Sequence, residues 1–161
     1  MMQSFCNWLA ATRLSQAFGS ADWFVPAVQS IHILAIATVV TLLAMLNFRL
    51  LGVTRRAPAP AHLAAGYVPW VWRALIVLLI TGTALTITEP TRELMNDSFR
   101  LKMLMVLLLV ILTFLLRSGL RKNPEYWSVT TRRRFLGGAI ALASLLLCAS
   151  IVAAGRLIAY V

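Results

Sequence analysis

The sequence is short of acidic residues, histidine and cysteine. Among its 161 residues are 5 Asp and Glu, 2 His and 2 Cys, and charged residues of both signs make up only 12%. A soluble domain normally carries about twice that charged fraction, so this composition excludes an ordinary soluble enzyme. Cys6 and Cys148 provide neither a disulfide framework nor a CxxC pair. Phosphate-binding loops, zinc-binding helix motifs and nucleophile elbows are also missing.

Apolar residues are abundant instead. They make up 60% of the chain, and the mean hydropathy is +0.83. Four apolar segments each come close to the ~20 residues that a helix needs to cross a ~30 Å hydrocarbon core. Inside lipid every backbone polar group must be paired within the segment, so each span is expected to be a helix. The predicted spans are 23–51, 67–88, 99–117 and 135–159.

The N-terminal segment has a different pattern. Phe5, Trp8 and Leu9 recur at helical spacing among polar residues. This predicts an amphipathic helix over about 3–18 that lies on the membrane surface. The segment lacks the basic start and apolar run of a secretory signal. The sequence therefore predicts an all-α fold with a single transmembrane domain over 1–161. In that domain an interfacial helix precedes an integral membrane four-helix bundle.

Positive charge is concentrated in two of the three loops between the predicted spans. Residues 49–66 and 117–134 together hold nine Lys or Arg and one acidic residue, whereas residues 88–99 hold three of the five acidic residues. Cytoplasmic loops are typically enriched in Lys and Arg. We therefore expect both basic loops in the cytoplasm and both termini in the periplasm of a bacterial inner membrane.

The net charge of +10 is explained by the same rule, without nucleic acid. Arginines 132–134 directly precede the last predicted span. A basic cluster at that position is attracted to anionic lipid headgroups. The expected partners are thus the bilayer, with anionic lipid at the basic loops, and a membrane or periplasmic protein.

His32 is the most informative residue for function. It lies about nine residues into the first predicted span, roughly 13 Å along the helix axis, and an ionisable residue at that depth indicates a functional site. Gln29 precedes it by three residues and so shares its face. His32 is either an axial ligand of haem b, a hydrogen-bond donor to quinone, a proton relay, or a neutral histidine bonded to a neighbouring helix.

A second haem ligand within the chain is harder to find. His62, the other histidine, is predicted in a basic loop, separated from His32 by most of the bilayer. Met103 and Met105 begin the third span on the same side as His32 and are the candidate thioether ligands. Methionine in such helices more often serves packing. Two alternatives therefore stay open. In one, His32, Gln29 and Met103 form a site for haem b or quinone. In the other, the protein binds no cofactor.

Further polar residues are predicted near the outer ends of the spans. Lys102 and Arg156 lie at the ends of the third and fourth spans, and Glu89 follows the second. Charged groups are costly against lipid, so Lys102 and Arg156 are expected either to reach the headgroups or pair with acidic residues such as Glu89, or to converge with Gln29 and His32. The second outcome would form an outer polar cluster.

Several stretches of the first two thirds of the chain also match a known pattern. They are Trp23-Phe24-Val25-Pro26 with Gln29 and His32, Phe48-Arg49-Leu50-Leu51-Gly52, Pro69-Trp70, Thr81-Gly82, Glu89-Pro90, and Phe99-Arg100 with Lys102-Met103. Together they resemble a family of small four-span bacterial membrane proteins known mainly as a domain of unknown function. The resemblance implies the architecture and assigns no activity. The family pattern has an aspartate where this chain has Asn47-Phe48.

Two classes of function stay open. No predicted span contains a carboxylate, which argues against a self-sufficient proton-driven transporter. One class is a non-enzymatic membrane subunit or anchor for a partner on the outer face. The other is a redox module in which His32 serves haem b or quinone. The lack of a second histidine within a span favours the first.

Overall fold

The computed structural model describes residues 2–54, 59–88, 90–122, 127 and 130–157, without the side chains of residues 2, 14, 92, 93, 122, 156 and 157. Within these ranges the chain forms seven helices and no strand, which confirms the predicted all-α fold. The helices are α1 (Met2–Ala10), α2 (Arg13–Gly19), α3 (Phe24–Leu50), α4 (Pro60–Thr88), α5 (Pro90–Leu94), α6 (Asp97–Lys122) and α7 (Thr131–Leu157).

Helices α3, α4, α6 and α7 are each long and apolar enough to cross a bilayer. At most 28% of the residues in the most apolar stretch of each helix are buried inside the protein. Most of the apolar surface therefore faces outward, where a soluble protein would be polar. The chain is a multi-pass membrane protein.

The four long helices pack as a bundle. Helix α3 packs extensively on α4 and also contacts α7, while α6 packs on α7 and only slightly on α4. All four helices contribute to one apolar core. Its buried members are Val39, Leu43, Val71, Ala74, Leu109, Cys148 and Ile151.

The bundle has two different ends. At the end where α3 begins and α4 finishes, the short helices α1, α2 and α5 form a cap, and we call this the cap end. Helix α1 packs against α5, and α2 packs against α4. At the opposite end α3 and α6 finish and α4 and α7 begin, and we call it the basic end. A second apolar core lies there, around Leu46, Val68 and Leu120.

The N-terminal segment is two helices rather than the single helix predicted over 3–18. Thr12 separates them, with the extended backbone angles φ −69° and ψ 146°. Its hydroxyl donates to the Leu9 carbonyl (2.7 Å) and accepts from the Ser15 amide (3.3 Å). One side chain thus closes α1 and caps α2. Both helices also bury residues, since Cys6 is 0% and Ser15 5% exposed.

Helix α4 begins at Pro60, earlier than the predicted start at 67. Proline is favoured in the first turn of a helix, because its missing amide hydrogen would have no partner there. The following alanines are strong helix formers. Pro69 lies inside α4 without ending it. Helix α6 likewise runs on to Lys122, beyond the predicted 117.

At the basic end, Trp127 packs between α6 and α7. A Cβ atom added to Gly119 would lie 2.8 Å from the indole nitrogen of Trp127, and one added to Gly137 would lie 3.2 Å from its Cβ. Its indole N–H points at the Leu116 carbonyl, 3.4 Å away. The two glycines therefore make room for a ring that fills the gap between the helices.

Candidate functional site

His32 lies in the third turn of α3 and faces α4. Its Nδ1 atom is 2.7 Å from Oγ1 of Thr81. The next residue on α4 is Gly82, where an added Cβ would lie 3.5 Å from Cε1 of the imidazole. The ring is half-buried in the α3–α4 interface. It therefore has a defined position and a polar partner on a neighbouring helix.

The hydrogen bond with Thr81 determines whether the other imidazole nitrogen, Nε2, is a donor or an acceptor. Its Oγ1 is also 2.7 Å from the Val77 carbonyl, the bond that helical threonines commonly make. A hydroxyl has one proton, so when it donates to Val77 it accepts from His32. Nδ1 is then the protonated nitrogen and Nε2 carries a lone pair. If Thr81 donates to Nδ1 instead, Nε2 becomes a donor.

Lys102 of α6 reaches the same region. It lies in the second turn of α6, at the same end of the bundle as His32, and is half-buried. Its side chain passes beside Gly155 of α7, where an added Cβ would lie 3.8 Å from Nζ. We call His32, Thr81 and Lys102 the cap-end cluster. With Gly155 beside it, this cluster draws on all four long helices.

Two predicted site residues do not join this cluster. Gln29 is exposed on α3. It lies about 60° round the helix from His32 and nearly one turn closer to the cap end. Met103 is 46% exposed, because adjacent helical residues point about 100° apart and Lys102 takes the inward direction. Met105 is the methionine that packs against the apolar core. Ligation of His32 by a methionine thioether stays a prediction.

Arg156 and Glu89 are only partly accounted for. Arg156 follows Gly155 on α7, so its backbone lies at the cap end near Lys102. Its side chain and the whole of Glu89 lie outside the described residues. The outer polar cluster therefore stays a prediction, and the described residues add Thr81 as a partner of His32.

The two histidines lie at opposite ends of the bundle. His62 is exposed in the first turn of α4. Thr81 lies nineteen residues further along that helix, which corresponds to roughly 28 Å. The two histidines are therefore too far apart to hold one haem b between them. Within the described residues, no group of three or more His, Cys, Asp or Glu side chains is placed to hold a metal ion.

Sequence reasoning missed a polar residue in the basic half. Asn47 of α3 is 0% exposed. Neither its amide nitrogen nor its amide oxygen has a hydrogen-bond partner among the described residues, and the same holds for Nε1 of Trp72. An asparagine directly between apolar residues, in the run Met45-Leu46-Asn47-Phe48, was the available signal. Such buried polar groups are uncommon in folded proteins.

Comparison with known proteins identifies a family and no characterised relative. A family model described as a family of unknown function, DUF6644, matches residues 6–161. No curated protein matches the chain. No solved structure matches it either.

Proposed function

The chain belongs to the DUF6644 family, and we propose that it is a non-enzymatic membrane subunit that anchors a partner protein on the outer face of the bacterial inner membrane. The observation that carries this proposal is the aromatic surface of the cap. Phe5, Trp8 and Trp23 are 52%, 64% and 71% exposed. The positive-inside rule places this end in the periplasm.

The helix that carries two of these aromatic residues is anchored to the cap. Phe5 and Trp8 lie one turn apart on α1, with ring centroids 5.9 Å apart. Cys6 between them is completely buried, and α1 packs against α5. Aromatic side chains have few rotatable bonds, so ordering them on binding costs little conformational entropy. Aromatic residues are also enriched at protein interfaces.

The headgroup layer of a bilayer would also accept these rings, so the test must distinguish protein from lipid. We would place a photo-crosslinking residue at Trp8 and, as a control, at Leu104, which is 54% exposed on a membrane-crossing helix. We expect a protein adduct of discrete mass at position 8 and only lipid adducts at position 104. Phe5→Ser should abolish the protein adduct while insertion is retained. If only lipid adducts form at both positions, the proposal that the cap anchors a partner protein is contradicted.

The hydrogen bond between His32 and Thr81 favours a second candidate, a redox module. With Nδ1 engaged by Thr81, only Nε2 is available to a ligand. When Nε2 carries the proton, it is a donor for a quinone carbonyl, and Lys102 supplies a second donor at the same end. When Nε2 carries the lone pair, it suits a single haem ligand bond.

The matched comparison for this candidate is wild type against His32→Gln. Glutamine retains hydrogen-bonding capacity, but it does not titrate near neutral pH and is a poor iron ligand. The redox module predicts a visible spectrum or co-purified quinone in the wild type, lost in His32→Gln with the bundle still assembled. A colourless, quinone-free wild type and a fully complementing mutant would exclude it and leave the anchor.

A further inference from the structure

A cleft with a volume of about 330 Å³ lies between α4 and α6 at the basic end. It is remote from the cap-end cluster, because its α4 residues lie in the first two turns of that helix. The lining residues are Ala61, Ala64, Ala65, Arg117, Leu120 and Arg121.

The shape of the cleft follows from the side chains that border it. Helix α4 contributes three alanines, whose methyl groups do not fill the space between two helices. The same helix packs extensively on α3 but only slightly on α6. Ala64 and Leu120 are buried at the inner wall, whereas Ala65 and Arg121 are exposed at the opening. The result is an apolar floor with a charged rim.

The rim carries charge of one sign. Arg117 and Arg121 lie four residues apart on α6 and so share one helical face. No carboxylate among the described residues forms an ion pair with either. Like charges at this spacing repel each other. The C-terminal end of α6 offsets part of that repulsion through the helix dipole. An anion between the two guanidinium groups would relieve it further.

We propose that this cleft binds the phosphate group of an anionic phospholipid, a site that goes beyond the anchoring function. Guanidinium groups present paired donors that match phosphate oxygens. The cleft lies where α4 begins and α6 ends, and the ends of membrane-crossing helices are expected at the depth of the headgroups. Its apolar floor of alanines and Leu120 suits the glycerol and first acyl carbons below the phosphate. Basic pockets between such helices are known lipid headgroup sites.

This site differs from general attraction between the membrane and the basic loops. Arg132 and Arg134 are exposed in the first turn of α7 and do not line the cleft. They provide the matched control, because replacing both removes the same charge from the same end of the bundle.

The experiment is a titration of the purified full chain in detergent with dioleoylphosphatidylglycerol and, separately, with the neutral dioleoylphosphatidylcholine, followed by native mass spectrometry. The wild type should bind one phosphatidylglycerol in preference to phosphatidylcholine. Arg117→Gln with Arg121→Gln should weaken that binding about thirtyfold, or about fivefold per arginine. Arg132→Gln with Arg134→Gln should leave the preferential site intact.

A second variant tests the cleft without changing charge. Ala65→Phe fills the opening from an exposed position, so it should leave the bundle assembled and remove the preference for phosphatidylglycerol. Unchanged preference in Ala65→Phe would overturn the proposal, even if the arginine pair proves necessary for assembly. Equal weakening by the two arginine pairs would also overturn it, because it would indicate diffuse attraction. Displacement of the lipid by millimolar inorganic phosphate would assign the cleft to a soluble anion instead.

Discussion

The two ends of the bundle differ in whether their buried polar side chains have hydrogen-bond partners. At the cap end, His32 is paired with Thr81 and Lys102 lies beside a glycine of the adjacent helix. At the basic end, Asn47 is buried with both amide atoms unpartnered among the described residues, and two arginines line an open cleft. At the cap end a polar pair is therefore satisfied within the chain, whereas at the basic end the Asn47 amide has no partner among the described residues.

The largest expected effect is on the activity of a reporter fused to either end of the bundle, because the reporter is either exported and active or retained and inactive. The charge of the basic loops predicts a cytoplasmic basic end and a periplasmic cap end. A phosphatase fused after Val161 should therefore be active, since that enzyme requires export. The control is a fusion after Leu51, at the other end of α3, which should be inactive. The reverse pair of activities would invert the assignment of the two ends.

The next largest effect tests the packing of the basic end. Gly119→Ala would place a methyl group 2.8 Å from the rigid indole of Trp127. Overpacking of this kind costs about 1–3 kcal/mol, so the variant should unfold at a lower temperature in detergent. Gly66→Ala is the control, because nothing lies within 4 Å of its new Cβ and alanine favours a helix interior by about 1 kcal/mol. Equal melting temperatures for the two variants would show that Trp127 is not wedged between α6 and α7.

Asn47→Leu tests whether the buried amide of Asn47 lowers the free energy of unfolding. An unpartnered buried polar group costs about 1–3 kcal/mol, and leucine removes both unpaired atoms at similar size. We expect an increase of about 1 kcal/mol in the free energy of unfolding, measured by denaturant titration in mixed micelles. Thr113→Val is the control, since its hydroxyl is also buried but already donates to the Leu109 carbonyl at 2.8 Å. A loss of stability in Asn47→Leu would mean that the amide has a partner.

The smallest effect concerns the bond between His32 and Thr81. Interhelical hydrogen bonds in membrane proteins average about 0.6 kcal/mol, so Thr81→Val should lower the free energy of unfolding by about that amount. Thr83→Val is the matched control, because Thr83 bonds only the Leu79 carbonyl of its own helix. A double-mutant cycle with His32→Ala isolates the pair. A coupling energy of zero would show that the two side chains do not support each other.

Several site predictions depended on directions around a helix that the sequence does not define. Gln29 and His32 share a broad face, yet His32 meets Thr81 of α4 whereas Gln29 is exposed. Met103 and Lys102 are neighbours in sequence, yet they point to opposite environments. In a soluble helix the polar face would have indicated the inward side. Here apolar residues occupy every side of each membrane-crossing helix. The spacing of apolar residues therefore does not indicate which side packs against the other helices.

The sequence by itself determined the number of long helices, their approximate ends and the contrast in charge between the two ends. It could do so because lipid forces every crossing segment to be an apolar helix and because charge collects in loops. Tertiary structure alone decided that His32 meets Thr81, 49 residues away, and that alanines of α4 face arginines of α6 across a cleft. The physical reason is that helices in lipid associate through close fit and a few polar contacts. Both depend on how whole helices are rotated and offset, which no single segment specifies.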